Sequence, residues 1–124
     1  MRNSIIGVIG SNSFSGSSFV RYLIEKGYNV IGFSRSPEPN PVFLSYKWIN
    51  NPKGAFKFYQ IDLNHQINEL IEIISQSKIK YIVNFASLGM VAQSWEKPED
   101  WYKTNVLSQV HFHEKLRKLN LIEK

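Results

Sequence analysis

Residues 5–16 read IIGVIGSNSFSG, and this stretch decides the fold. Its first half is a short run rich in β-branched residues that ends at Gly10, as expected of a buried strand. Beyond Gly16, apolar residues recur at helical spacing: Phe19, Val20, Leu23 and Ile24. The sequence therefore predicts a strand over residues 4–9, a turn between the two glycines, and a helix over residues 16–26.

Three further apolar runs extend this pattern along the chain. They predict strands over residues 28–33, 56–61 and 79–83. Strands that are apolar throughout, rather than alternating, are typical of sheets covered by helices on both faces. We therefore predict an α/β fold, a doubly wound parallel sheet in one domain over residues 1–124.

Helix ends and one long connection complete the predicted order β α β β α β α. Gly27 is placed to end the first helix with a positive φ, and Asn64 is placed to cap the start of the second. The last helix is predicted from residue 98 to about 119. Residues 35–54 carry four prolines and form a long connection, with some local structure expected over residues 42–48.

Composition restricts the classes of function. A charge of +5 and a pI near 9.5 favour anionic partners, but the basic residues are scattered, so we expect no nucleic-acid partner. The absence of cysteine excludes a disulfide framework and a thiolate metal site. No apolar run approaches the roughly 18 residues of a membrane span. We expect a cytoplasmic protein with no membrane partner and, because its three histidines are separated, no metal site.

The turn from Gly10 to Gly16 has the spacing of a phosphate-binding turn. The pattern is G-x-x-G-x-x-G with Ser13 in place of the middle glycine. The first glycine permits the tight turn, the middle residue approaches a diphosphate, and the last lets the helix pack against the strand. Free N–H groups at the start of the helix then face the phosphates, and the Ser13 hydroxyl is a further possible donor. The alternative is an ordinary strand-to-helix turn.

Two positions at strand ends bear on the choice of nucleotide. Ser34, Arg35 and Ser36 follow the second strand, where NAD sites usually carry a carboxylate and NADP sites a cation for the 2′-phosphate. No carboxylate comes before Glu38, so we predict NADP, with NAD as the alternative cofactor. A further alternative is that Arg35 is an ordinary surface arginine at the end of a strand. Asp62, directly after the third strand, either accepts from the adenine amine or serves only to start the next helix.

In combination, these stretches resemble the extended short-chain dehydrogenase/reductase family, in particular its nucleotide-sugar epimerases and its 4,6-dehydratases of the GDP-mannose type. The matching segments occur in the family's order and spacing: Gly10 to Gly16, Asp62 with Leu63, Asn84 to Ser87, Val91, Ser94, Pro98, and Thr104 to Val106. Gly89 and Met90 depart from the Ser-His that often precedes the valine. The resemblance implies a Rossmann-type NAD(P)-binding domain that is truncated after the fourth strand and its following helix, and a nucleoside-diphosphate sugar as the substrate.

The resemblance also implies a role for each candidate residue. Gly10, Ser13, Phe14 and Gly16 would hold the diphosphate. Ser34 and Arg35 would contact the adenosine ribose or its phosphate, and Asp62 and Leu63 would contact the adenine. Ala86 and Ser87 would line the ribose on the nicotinamide side.

The family uses a Tyr-x-x-x-Lys pair for proton transfer, and the elements that supply this pair are not found in the sequence. Tyr22 and Lys26 have this spacing, but they lie inside the first helix and are interpreted as a coincidence. We therefore predict no catalytic residue in this chain. A dinucleotide-binding sensor or interaction module remains the alternative function.

Two structural expectations remain. Trp48, Trp95 and Trp101 are separated in the sequence and are predicted to be packing residues. The fourth strand is predicted to form an apolar sheet edge, so we expect self-association or a partner chain that covers this edge.

Overall fold

The computed structural model describes residues 4–86, 95–120 and 122. Its elements are, in chain order, β1 Ile5–Ile9, α1 Phe14–Glu25, β2 Asn29–Ser34, β3 Phe56–Gln60, α2 Ile67–Gln76, β4 Tyr81–Asn84, α3 Pro98–Tyr102 and α4 Ser108–Leu119. A π-helical segment, Lys103–Leu107, joins α3 to α4 without a break. The predicted order of strands and helices is confirmed.

The four strands form one parallel sheet in the order β3-β2-β1-β4. Ile9 at the end of β1 stands opposite Phe33 of β2 and Asn84 of β4, and Phe33 stands opposite Tyr59 of β3. The carboxyl ends of all four strands are therefore level. Within the described residues β4 pairs only with β1, so it lies at an edge of the sheet; its pairing with another chain stays a prediction.

Buried residues cover both faces of the sheet, as a doubly wound fold requires. On one face, strands pack against α2 and α4 through Ile9, Ile31, Phe33, Ile61, Leu63, Leu70, Ile74, Ile79, Phe112 and Leu116. On the other, β1 and β2 pack against α1 and the long connection through Ile6, Val8, Val20, Leu23, Ile24, Val30, Leu44 and Tyr46. Alternate residues of β1 point to opposite faces, which explains why the strand is apolar throughout.

The ends of α1 follow the sequence closely. Gly27 has φ +93°, its N–H donates to the Ile24 carbonyl at 3.0 Å, and the Tyr28 N–H donates to the Leu23 carbonyl at 3.0 Å. These two bonds form a Schellman motif, which needs a residue that tolerates the left-handed conformation. The predicted role of Gly27 is confirmed.

The prediction that Asn64 caps α2 is wrong. The helix begins at Ile67 and is preceded by Gln66. Asp62 starts the turn instead: its Oδ1 accepts from the Asn64 N–H at 2.9 Å, and its carbonyl accepts from the Gln66 N–H at 2.7 Å. Asn64 is used elsewhere, because its Oδ1 accepts from the Ser108 hydroxyl on α4.

The long connection between β2 and β3 has the local structure that was predicted for it. Two short 3₁₀ helices, Pro41–Phe43 and Ser45–Trp48, lie within it. Leu44 is fully buried and Tyr46 nearly so, and the Tyr46 ring packs against Phe56 at 4.5 Å between centroids. The connection is therefore part of the core on the α1 face.

Candidate cofactor site

A cleft of about 290 Å³ opens at the carboxyl ends of the strands. Ligands of open α/β sheets bind at this edge, where the strand order reverses. β1 and β2 contribute their last residues, and β3 and β4 contribute through the residues that directly follow them. The lining residues are Ile9, Gly10, Asn12, Ser13, Ser34, Arg35, Ser36, Ile61, Asp62, Leu63, Asn64, Phe85 and Ala86.

The turn from β1 into α1 forms one wall of the cleft. Gly10 has φ +82°, and a Cβ there would lie 2.9 Å from the backbone carbon of Phe85. Ser13 caps α1: its hydroxyl accepts from the Gly16 N–H at 2.9 Å and donates to the Gly10 carbonyl at 2.8 Å. The hydroxyl is thus engaged inside the turn. Within the described residues, the N–H groups of Phe14 and Ser15 have no acceptor, as is usual in the first turn of a helix.

The end of β2 forms the second wall. Ser34 is almost fully buried, and its Oγ accepts from the Asn12 N–H at 3.1 Å. Arg35 follows and is exposed at the mouth of the cleft. No carboxylate of the described residues lines this wall.

Glu38, the first carboxylate after β2, is held outside the cleft by the long connection. Its Oε2 accepts from the Tyr46 hydroxyl at 2.6 Å and lies 3.3 Å from Lys47 Nζ. Burial raises the pKa of Tyr46 strongly, and the hydrogen bond to Glu38 and the negative charge of that carboxylate raise it further.

The ends of β3 and β4 complete the cleft. Asp62 holds the turn before α2 through its Oδ1, and its Oδ2 lies 3.9 Å from His65 Nε2. Leu63 is buried in the core beside it. Across the cleft, the Phe85 N–H donates to the Ile9 carbonyl at 2.7 Å, and the Ala86 N–H donates to Asn84 Oδ1 at 2.8 Å. These bonds fix the loop after β4 against β1.

Sequence comparison gives the family. A sequence model of the family described as GDP-mannose 4,6 dehydratase matches residues 5–124. The chain belongs to this family. Among curated relatives, UDP-glucose 4-epimerase 2 of Arabidopsis thaliana is 29% identical over 112 residues, covering 89% of this chain and 31% of the relative. UDP-glucose 4-epimerase of Lactobacillus helveticus is 26% identical, covering 92% and 32%. The chain thus spans about a third of the length of these relatives.

Solved structures of the same kind share the fold. UDP-glucose 4-epimerase of Thermotoga maritima with UDP-glucose is 26% identical with a TM-score of 0.75, covering 94% of this chain and 35% of that one. The enzyme of Bifidobacterium longum in complex with NAD+ and UDP has a TM-score of 0.78 at 24% identity, covering 96% and 36%. The predicted resemblance to nucleotide-sugar epimerases and dehydratases is confirmed, as is the Rossmann-type sheet.

Most of the residues assigned by analogy with the GDP-mannose 4,6 dehydratase family line the cleft together. They are Gly10, Ser13, Ser34, Arg35, Asp62, Leu63 and Ala86. Gly16 lies behind the cleft, where it packs against Gly10, and Phe14 points into solvent with 88% of its surface exposed. Ser87, Gly89, Met90, Val91 and Ser94 lie outside the described residues.

Sequence reasoning missed three polar lining residues, Asn12, Ser36 and Asn64, and three apolar ones, Ile9, Ile61 and Phe85. Asn64 had been assigned to a helix cap, and Asn12 carried no signal beyond its place between the two glycines. Trp95 is 84% exposed, so its predicted packing role is wrong. Trp48 is also more than half exposed, and its indole N–H donates to the Pro41 carbonyl at 2.9 Å. The side chain of Trp101 lies outside the described residues.

Asp62 and Arg35 are the charged side chains among the described lining residues. None of these lining residues is a tyrosine, lysine or histidine. Tyr22 and Lys26 face each other on α1, with the ammonium 5.7 Å from the ring centre, and neither lines the cleft. The described residues also contain no cluster of three metal-ligating side chains and no helix long and apolar enough to cross a bilayer.

Proposed function

We propose that this chain binds a nicotinamide dinucleotide, NADP in preference to NAD, as the cofactor part of a nucleotide-sugar epimerase or 4,6-dehydratase. The observation that carries the proposal is that the glycine turn, with Ser13 as the N-cap of α1, and the segments at the four strand ends line one cleft. The relatives whose structures contain NAD or a uridine nucleotide support the same class of ligand.

The diphosphate would lie against the turn from Gly10 to Gly16. Gly10 allows the turn to lie close to the loop after β4, because a Cβ there would meet the backbone of Phe85. The N–H groups of Phe14 and Ser15 are available as donors. The positive end of the α1 dipole adds to their attraction for an anion. The Ser13 hydroxyl already has a donor and an acceptor within the turn, so main-chain groups would provide most of the contacts.

The end of β2 favours NADP. Arg35 brings a guanidinium to the mouth of the cleft, where a 2′-phosphate would form charge-assisted hydrogen bonds with it. An NAD site usually has a carboxylate here for the 2′-hydroxyl, and Glu38 is committed to Tyr46 and Lys47 instead.

The rest of the cofactor would follow the remaining strand ends. Asp62 and Leu63 would contact the adenine, while Ala86 and Ser87 would line the ribose on the nicotinamide side. When bound, the nicotinamide supplies hydride exchange with the sugar of a nucleoside-diphosphate sugar.

Calorimetric titration of the chain with NADPH and with NADH tests the proposal. Gly10→Ala should abolish binding, because the new Cβ meets the backbone of Phe85. Gly27→Ala is the matched control: it places Ala at a similar positive φ, but its Cβ meets only Lys53 Cβ at 3.9 Å, far from the cleft. Failure of the wild type to bind either cofactor would overturn the proposal.

A further inference from the structure

Three successive carbonyl groups after β2 are held by side-chain amides. Gln60 Nε2 donates to the carbonyl of Arg35 at 3.2 Å. Asn12 Nδ2 donates to the carbonyls of Ser36 and Pro37, each at 3.1 Å. The backbone at Arg35 and immediately after it is therefore fixed by contacts from two other parts of the chain.

Asn12 belongs to the turn between β1 and α1 and makes a third bond to the same segment. Its backbone N–H donates to Ser34 Oγ at 3.1 Å. Both bonds of its side-chain nitrogen go to carbonyls, which decides the orientation of the amide. Its Oδ1 is buried without a hydrogen-bond partner among the described residues. One side chain thus joins the diphosphate turn to the segment that carries Arg35.

We infer that Asn12 is a positioning residue for recognition of a 2′-phosphorylated adenine nucleotide, an inference that rests on the proposed function. An exposed arginine loses conformational entropy when it binds a phosphate, and this cost is smaller if its backbone is already fixed. Asn12 and Gln60 provide that fixation.

Asn12→Ala tests the inference, with NADPH, NADH and adenosine 2′,5′-bisphosphate as calorimetric probes. We expect the affinity for the two 2′-phosphorylated probes to fall about fivefold to tenfold, which corresponds to the loss of one or two neutral hydrogen bonds. The NADH affinity should change by less than about twofold. The ratio of NADPH to NADH affinity is the readout, since general damage to the turn would lower both equally.

Asn29→Ala is the matched control. Asn29 lies at the opposite end of β2, where its Oδ1 accepts from the Ala55 N–H at 3.1 Å. The substitution removes a tether of the same chemical type without touching the cleft. The affinity ratio should remain that of the wild type.

A double-mutant cycle with Arg35→Gln shows whether Asn12 acts through Arg35. In the Arg35→Gln background, Asn12→Ala should cost little further NADPH affinity. An equal loss for both cofactors, or a full additional loss in the double variant, would overturn the inference. If Asn12→Ala does not fold, Gln60→Ala takes its place and should lower the ratio of NADPH to NADH affinity. An unchanged ratio in Gln60→Ala would overturn the inference. If the wild-type chain binds neither NADPH nor NADH, the proposed function itself is wrong.

Discussion

Gly16 packs so closely against Gly10 that a Cβ on Gly16 would overlap the Gly10 carbonyl oxygen. Since that oxygen also accepts from Ser13, it cannot move without disrupting the turn. Gly16→Ala should therefore lower the free energy of unfolding by about 1–3 kcal/mol, as overpacking does, measured by urea denaturation. Gly7→Ala is the control: its Cβ meets a side-chain atom of Ile79 at 3.2 Å, which can yield. Equal losses in the two variants would contradict this account.

Reversal of charge at Arg35 should discriminate between the two cofactors. Arg35→Asp removes a cation and adds an anion at the mouth of the cleft, so NADPH affinity should fall by about 100-fold through lost pairing and repulsion. NADH affinity should be retained. Lys53→Asp makes the same change of charge in an exposed loop away from the cleft and controls for net charge. Unchanged NADPH affinity in Arg35→Asp would remove the assignment of NADP.

The stability of the protein should depend on Tyr46 at alkaline pH. Its pKa is raised by burial and by Glu38, whereas an unfolded tyrosine titrates near pH 10. The folded state therefore retains a proton that the unfolded state loses, and the stabilisation is complete below about pH 10 and is lost as the pH rises further. Urea denaturation at several pH values should show a steeper decline for the wild type than for Tyr46→Phe. Tyr22→Phe, at a half-exposed site, should follow the wild type.

Burial of the Ser11 hydroxyl should lower the stability of the protein. It is fully buried, and its Oγ has no hydrogen-bond partner among the described residues. Ser11→Ala should raise the free energy of unfolding by roughly 1 kcal/mol, because a desolvated unpaired group is removed. Ser17, also buried, donates to the Phe14 carbonyl at 3.1 Å, so Ser17→Ala should give no increase. A lower stability of Ser11→Ala in thermal and urea unfolding would argue that the hydroxyl has a partner.

Local requirements were predictable from the sequence, and distant contacts were not. Gly10 and Gly27 were identified because a positive φ excludes most other residues whatever the rest of the chain does. Asn12 was missed because its acceptors lie 24 and 25 residues away, and only the folded sheet brings them together. Asn64 was misassigned for a similar reason: its partner, Ser108, is 44 residues away on α4.

Because the strand ends are level, an insertion within a strand should disturb the cleft. Since Ile9 is in register with both Phe33 and Asn84, one residue inserted into β4 would advance its end by about 3.3 Å and turn its side chains to the opposite face. Ala86 would then be displaced by more than the length of a hydrogen bond. The strands thus act as spacers of fixed length between the two faces of the sheet and the cleft at its carboxyl edge.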